Sequence, residues 1–144
     1  MTTRIRRVVT AQTGAGGVIA ADDVAPRVEM AGGAYVHEVW GAPRATGEEA
    51  PGTSWSLDPP TGGAVFRIAE FPPSGVDSAP PFMHITRTID FGVVLEGELT
   101  LIMDGQETVL RAGDTFVQRQ ANHGWENRGP TRCRMAVVLM DGAL

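Results

Sequence analysis

The sequence contains no lysine, and all 12 of its basic residues are arginine. Schiff-base chemistry and a lysine general base are therefore excluded, as is a Walker-type phosphate loop, which needs its lysine. Cysteine is almost as scarce. The single Cys133 can form no internal disulfide. It shares strand parity with Met135, Val137 and Leu139, so it reads as a buried core thiol rather than a nucleophile. Long apolar runs are missing as well, and no stretch approaches the length of a membrane span. Arg4, Arg6 and Arg7 are followed by Thr10, Gln12, Thr13 and glycines, not by the apolar segment of a signal peptide. Positive charge is in deficit, with a net charge of -5. A nucleic-acid partner needs a basic patch, and the one basic cluster alternates with Ile5, Val8 and Val9 as the exposed face of a strand would. The expectation is a cytoplasmic protein with neither nucleic acid nor membrane as its partner.

What is present is punctuation. A chain of 144 residues holds 18 glycines and 10 prolines, which disfavours helix and leaves short apolar runs between turns. Strands are expected at 4–11, 18–21, 34–40, 64–71, 91–96, 98–103, 107–111, 114–119, 123–127 and 133–140. Asp104-Gly105 marks a two-residue hairpin of type I′; Ala112-Gly113-Asp114 and Asn127-Arg128-Gly129-Pro130 mark further turns. The C-terminal half thus reads as an antiparallel meander. Pro43 to Pro60 reads as a long loop, and Pro72 to Pro81 as an irregular lead-in to the strands that follow. Many short strands in a chain of one-domain length imply an all-β sandwich or barrel. Residues 1–144 form a single domain, with 1–63 as an N-terminal extension carrying accessory strands and 64–140 as the barrel.

Chemistry concentrates in two stretches, 83–98 and 113–127. Alternation places His84 and Thr86 on one face, and Asp90 has the same parity. A straight strand would hold His84 and Asp90 roughly 20 Å apart, so they converge only if Arg87 to Ile89 turns the chain back. His123, Trp125 and Asn127 share another face, and a closed barrel brings both faces inside. Arg87 and Arg119 are candidates for binding a substrate carboxylate, although their parity favours solvent. Trp125 suits stacking on a planar substrate or core packing. His37 reads as a surface or interface residue. Glu96 and Glu98 read as solvated acids, and Ser74 and Ser78 lack a nucleophile-elbow pattern.

These two stretches resemble the paired motifs of the cupin superfamily. The first motif is His-x-His, three or four residues, Glu, six residues, Gly; here it reads His84, Thr86, Asp90 and Gly97. The second begins at Gly113, has Arg119 at its proline position, and ends in His123 and Asn127 with the family's His-x3-Asn spacing. The resemblance covers about residues 64–140 and implies a double-stranded β-helix, or jelly-roll, barrel. It further implies one of two interiors. In one, His84, Asp90 and His123 hold a divalent metal (Zn, Mn, Ni or Fe), with Thr86 where a third histidine ordinarily stands. In the other, the pocket is metal-free and the histidines act as hydrogen-bonding or acid–base groups.

Three functions follow from the resemblance. The first is a metal-assisted non-redox lyase or isomerase (dehydratase, decarboxylase or cyclase) for a small organic substrate. There His84 or His123 moves a proton, Asp90 orients or ligates, and Thr86 bonds substrate. The second is a non-haem Fe(II) dioxygenase, and the third a small-ligand-binding or sensor module without turnover. Phe82, Phe91, Trp125 and Met135 suggest an apolar lining suited to an aromatic or polyketide-like molecule. By analogy with other cupins a homodimer is expected.

Overall fold

A computed structural model describes residues 3–43, 58–75 and 80–142; most of the expected 43–60 loop, and Ser78, lie outside them. The chain runs β1 (Arg6–Thr13), β2 (Gly16–Val24), β3 (Arg27–Glu29), a 3-10 turn (Ala31–Gly33), β4 (Tyr35–Pro43) and β5 (Gly63–Phe71). It continues through β6 (Thr88–Glu96), β7 (Glu98–Met103), β8 (Glu107–Arg111), β9 (Thr115–Arg119), β10 (His123–Glu126) and β11 (Cys133–Asp141). The expected strands all form, with ends shifted by up to three residues. β3 is additional; at three residues it is too short to show alternation in the sequence. Among the described residues no helix is long and apolar enough to cross a membrane.

The strands build a six-stranded sheet in the order β3-β4-β5-β11-β6-β9, a three-stranded sheet β10-β7-β8, and a separate β1–β2 hairpin. Every pairing is antiparallel, but the C-terminal half is not a meander. β6 pairs with β9 and β11, while β7 pairs with β8 and β10, so the chain crosses repeatedly between two facing sheets, as in a jelly roll. β3 and β4, accessory strands of the N-terminal segment, join the large sheet beside β5, and β1–β2 forms a sheet of its own.

β11 shows why this packing holds. Cys133, Met135, Val137, Leu139 and Asp141 are buried and alternate with half-buried neighbours, the period-2 signature of a strand with one face in a core. Their partners are Val65 and Ala69 on β5, Val94 on β6 and Phe116 on β9, closed from the facing sheet by Leu99 and Leu110. Burial pushes the Cys133 thiol up to about 11, so at neutral pH it remains a protonated core group. Gly92 on β6 carries the Phe116 ring, which would lie 2.1 Å from an added Cβ.

The Asp104-Gly105 turn joins β7 to β8 as expected, with the Met103 N–H donating to the Gln106 carbonyl at 2.8 Å. Neither turn residue has a positive φ, so the turn is not of type I′. An unprimed turn splays its strands, which this short ladder, from Glu98–Arg111 to Ile102–Glu107, tolerates.

Candidate functional site

The barrel interior is apolar toward one end and polar toward the other. Register places Val65, Leu139, Asp90 and Gln118 side by side across four strands. At the polar end the chain bends at Arg87 before entering β6 at Thr88, which is the reversal that the His84–Asp90 spacing requires. His84 does not sit on a strand of the large sheet. It forms an isolated antiparallel bridge with His123, each donating its N–H to the other's carbonyl at 2.9 and 3.0 Å. The two rings consequently lie 4.5 Å apart, tilted by 50°.

Both imidazoles are oriented by carbonyl groups. His123 Nδ1 lies 2.8 Å from the Ala121 carbonyl and His84 Nδ1 lies 3.3 Å from that of Phe82. A carbonyl only accepts, so each Nδ1 carries a proton, and in the neutral form of each ring the lone pair is on Nε2. Burial holds the His123 pKa below the usual histidine value. The Ala121 carbonyl works against that shift, the neighbouring His84 adds to it, and the Asp90 charge opposes it.

Asp90 is buried, and its Oδ2 accepts a bond from Gln118 Nε2 at 3.3 Å. The same amide reaches Thr86 Oγ1 at 3.4 Å, which shares a 2.7 Å bond with Thr88 Oγ1. The Ala121 N–H donates to Gln118 Oε1 at 2.7 Å, fixing which end of the amide faces Asp90. The other carboxylate oxygen, Oδ1, is buried without a partner. Among the described residues no group of three or more His, Cys, Asp or Glu side chains is gathered closely enough to hold a metal ion. The imidazole pair supplies two nitrogens, Thr86 stands where a third would be, and Asp90 is drawn toward Gln118. The donors as arranged do not fit a three-ligand metal site.

Other expected residues fall elsewhere. Arg87 is 68% exposed and reaches Asp141 at 3.5 Å, and Arg119 is exposed; strand parity turns both away from the interior. Phe82 and Phe91 are exposed too, at 74% and 48%, and Phe91 has the opposite parity to Asp90. Met135 is buried. Trp125 packs against Phe116 at 4.9 Å and meets the His123 ring edge-on at 6.0 Å. His37 is no surface residue: it is 1% exposed, with Nε2 3.4 Å from Glu70 Oε2.

Asn127 is structural rather than pocket-lining. Its Nδ2 donates to the Phe71 and Thr131 carbonyls at 2.9 and 2.8 Å, and its Oδ1 accepts from the Gly129 N–H at 2.9 Å. Replacing it by alanine orphans these buried groups and is expected to cost about 2–4 kcal/mol. Chemical denaturation measures that loss, and KM should be unchanged; a raised KM at unchanged stability would return Asn127 to the pocket.

Gln118 and Arg67 are among the buried polar residues that escaped sequence reasoning. Gln118 was legible as the alternate of Phe116. Arg67, which bonds Glu38 at 2.5 Å, has the parity of Val65 and Ala69, but a buried arginine runs against composition rules.

Comparison with known proteins gives one family and several relatives. The family profile of the cupin domain matches residues 67–139. Phomopsin biosynthesis cluster protein D of Diaporthe leptostromiformis is 44% identical over 82 residues, 56% of this chain and 41% of that protein. The cupin-domain-containing oxidoreductase virC of Hypocrea virens is 39% identical over 83 residues, 55% of this chain and 41% of that one. The chain thus spans about two fifths of the length of these curated relatives. Among solved structures, an RmlC-like cupin from Shewanella frigidimarina aligns with a TM-score of 0.54 at 19% identity, over 81% of this chain and 84% of its own.

Proposed function

Given that the chain belongs to the cupin domain family, we propose that it is an enzyme that moves protons on a small organic substrate, a non-redox lyase or isomerase. One observation carries this reading: two facing imidazoles, each with Nδ1 committed to a carbonyl and Nε2 left as a proton acceptor. Neutral His123 takes the proton at Nε2. His84, after taking a proton from solvent at Nε2, returns one to the substrate. Asp90, held by Gln118, supplies a buried negative charge that favours the protonated form of His123. Trp125 supplies an apolar wall. Relatives named for biosynthesis clusters support a small organic substrate.

The relatives named as oxidoreductases favour a second reading, oxidation at the same site. One experiment separates the two. The protein is incubated in D2O with enolisable ketones and keto acids, aromatic members included, and products are weighed by mass spectrometry. Proton-transfer catalysis enters deuterium next to the carbonyl, or changes the mass by water or CO2. Loss of two hydrogens or gain of oxygen, without deuterium entry, would establish oxidation instead. Binding without any mass change would leave a ligand-binding module and sink both.

The His123 environment sets a pH dependence. Burial lowers its folded pKa below the ordinary histidine value of 6.5, so the unfolded chain takes up this proton first as pH falls. The stability linked to His123 is full above pH 6.5 and is lost as pH drops through the folded value. Melting temperature is expected to decline from about pH 6.5 downward, and less steeply in His123→Asn. The acid limb of activity should lie below 6.5; a limb at or above it would contradict burial as the governing cause.

A further inference from the structure

The two imidazoles are carried by different segments. His84 lies on the stretch that bends at Arg87 and enters β6, and His123 opens β10 after the turn from β9. The segments meet at the isolated His84–His123 bridge. One bridge is a pivot, and a ring spacing of 4.5 Å is held only if the pivot is locked.

A second tie lies three residues away on each side. Antiparallel pairing continued from the bridge brings Arg87 opposite Gln120. There Gln120 Nε2 donates to the Arg87 carbonyl at 2.8 Å, so a side chain supplies the bond that a backbone ladder would give. The same carbonyl accepts from the Gly142 N–H at 2.9 Å, which fixes it to the chain leaving β11. The amide fits closely: a Cβ added at Gly142 would lie 2.3 Å from Gln120 Nε2.

The backbone of Gln120 is unusual too. It is the non-glycine residue with a positive φ, 55°, among the described residues. Side-chain-bearing residues adopt that conformation at a cost, which often marks a functional position, and glycine would take it freely. The turn it makes sends the Ala121 N–H back to Gln118 Oε1 at 2.7 Å and sets the Ala121 carbonyl 2.8 Å from His123 Nδ1. The residue is exposed, so no core packing accounts for the choice of glutamine.

We propose that Gln120 is a positioning residue for the imidazole pair. Its amide clamps the His84 segment to the His123 turn at the Arg87 carbonyl, and its left-handed backbone aims the Ala121 carbonyl at His123 Nδ1. The proposal rests on the proton-transfer reading of the pair and adds the residue that fixes its spacing.

Two variants isolate the amide. Gln120→Gly keeps the turn without strain and removes the side chain. Gln120→Glu keeps the size but at pH 7.5 has no N–H to give a carbonyl. Deuterium entry into the enolisable ketones is measured beside a melting curve and the nuclear Overhauser contact between the two rings. Each variant is expected to lose about 10–100-fold in kcat, with KM within about twofold of wild type and the fold retained. The ring contact, present in wild type at this spacing, should weaken in both. A residue that served the turn alone would be replaced by glycine without loss. Full kcat and an unchanged ring contact in Gln120→Gly therefore overturn the proposal, as does full kcat in Gln120→Glu. If one variant fails to fold, the other decides by the same readings. If wild type itself enters no deuterium, the proton-transfer reading fails separately, and the ring contact decides the clamp: weakened in the variants it stands, unchanged it falls.

Discussion

His123→Ala is expected to reduce turnover at least 100-fold while leaving the fold intact. Positioned general acid–base groups contribute about 10²–10⁴-fold, and His123 is the more buried of the two imidazoles. Its backbone bridge to His84 uses only main-chain atoms, so the truncation removes the base without removing the strand contact. The D2O exchange assay reads the effect, with a melting curve as the control for folding. His84→Ala should cause a comparable loss, and the double variant should lose little more than either single one, since the two rings act as a unit. Full activity in His123→Ala would remove the imidazole pair from the chemistry.

The second large effect is on the fold. Gly97 turns the chain from β6 in one sheet to β7 in the other with φ +74°, and an added Cβ would lie 2.6 Å from the Arg132 carbonyl oxygen and 3.0 Å from Cys133 Cα. The left-handed backbone costs an alanine about 1–2 kcal/mol, and pushing the β11 backbone aside costs about 1–3 kcal/mol more. Against a total of about 5–15 kcal/mol, Gly97→Ala is expected to lower the melting temperature by about 10 °C. Gly105→Ala is the matched control. Gly105 has no positive φ and nothing within 4 Å of an added Cβ, so its change should stay within about 0.5 kcal/mol. Equal melting temperatures for the two variants would show that the β6–β7 corner yields freely.

Much of this was legible in the sequence because a barrel strand repeats every second residue. Cys133, Met135, Val137 and Leu139 announced a buried face, and the motif spacing placed His84, Asp90 and His123 toward one interior before any geometry was known. Parity also pointed Arg87 and Arg119 outward, as the structure has them. What stayed hidden depended on partners remote in sequence. Asn127 has the parity of His123, yet its amide is consumed by Phe71 and Thr131. His37 looked like a surface histidine because Glu70, its buried neighbour, is on another strand. Gln118 decides where the Asp90 carboxylate is held, and only the β6–β9 register brings the two together. Phe91 illustrates the converse: its parity was readable, but the uncovered outer face it joins was not.

The account turns on the protonation of two rings, and the chain has only three histidines. A ¹⁵N-detected titration of the imidazoles therefore tests it with three assignable signals. The expected result is that His123 is a neutral Nδ1–H tautomer at pH 7.5 and titrates below 6.5. An Nε2–H tautomer at His123, or a midpoint at or above 6.5, would contradict a buried base with its Nε2 lone pair facing the substrate.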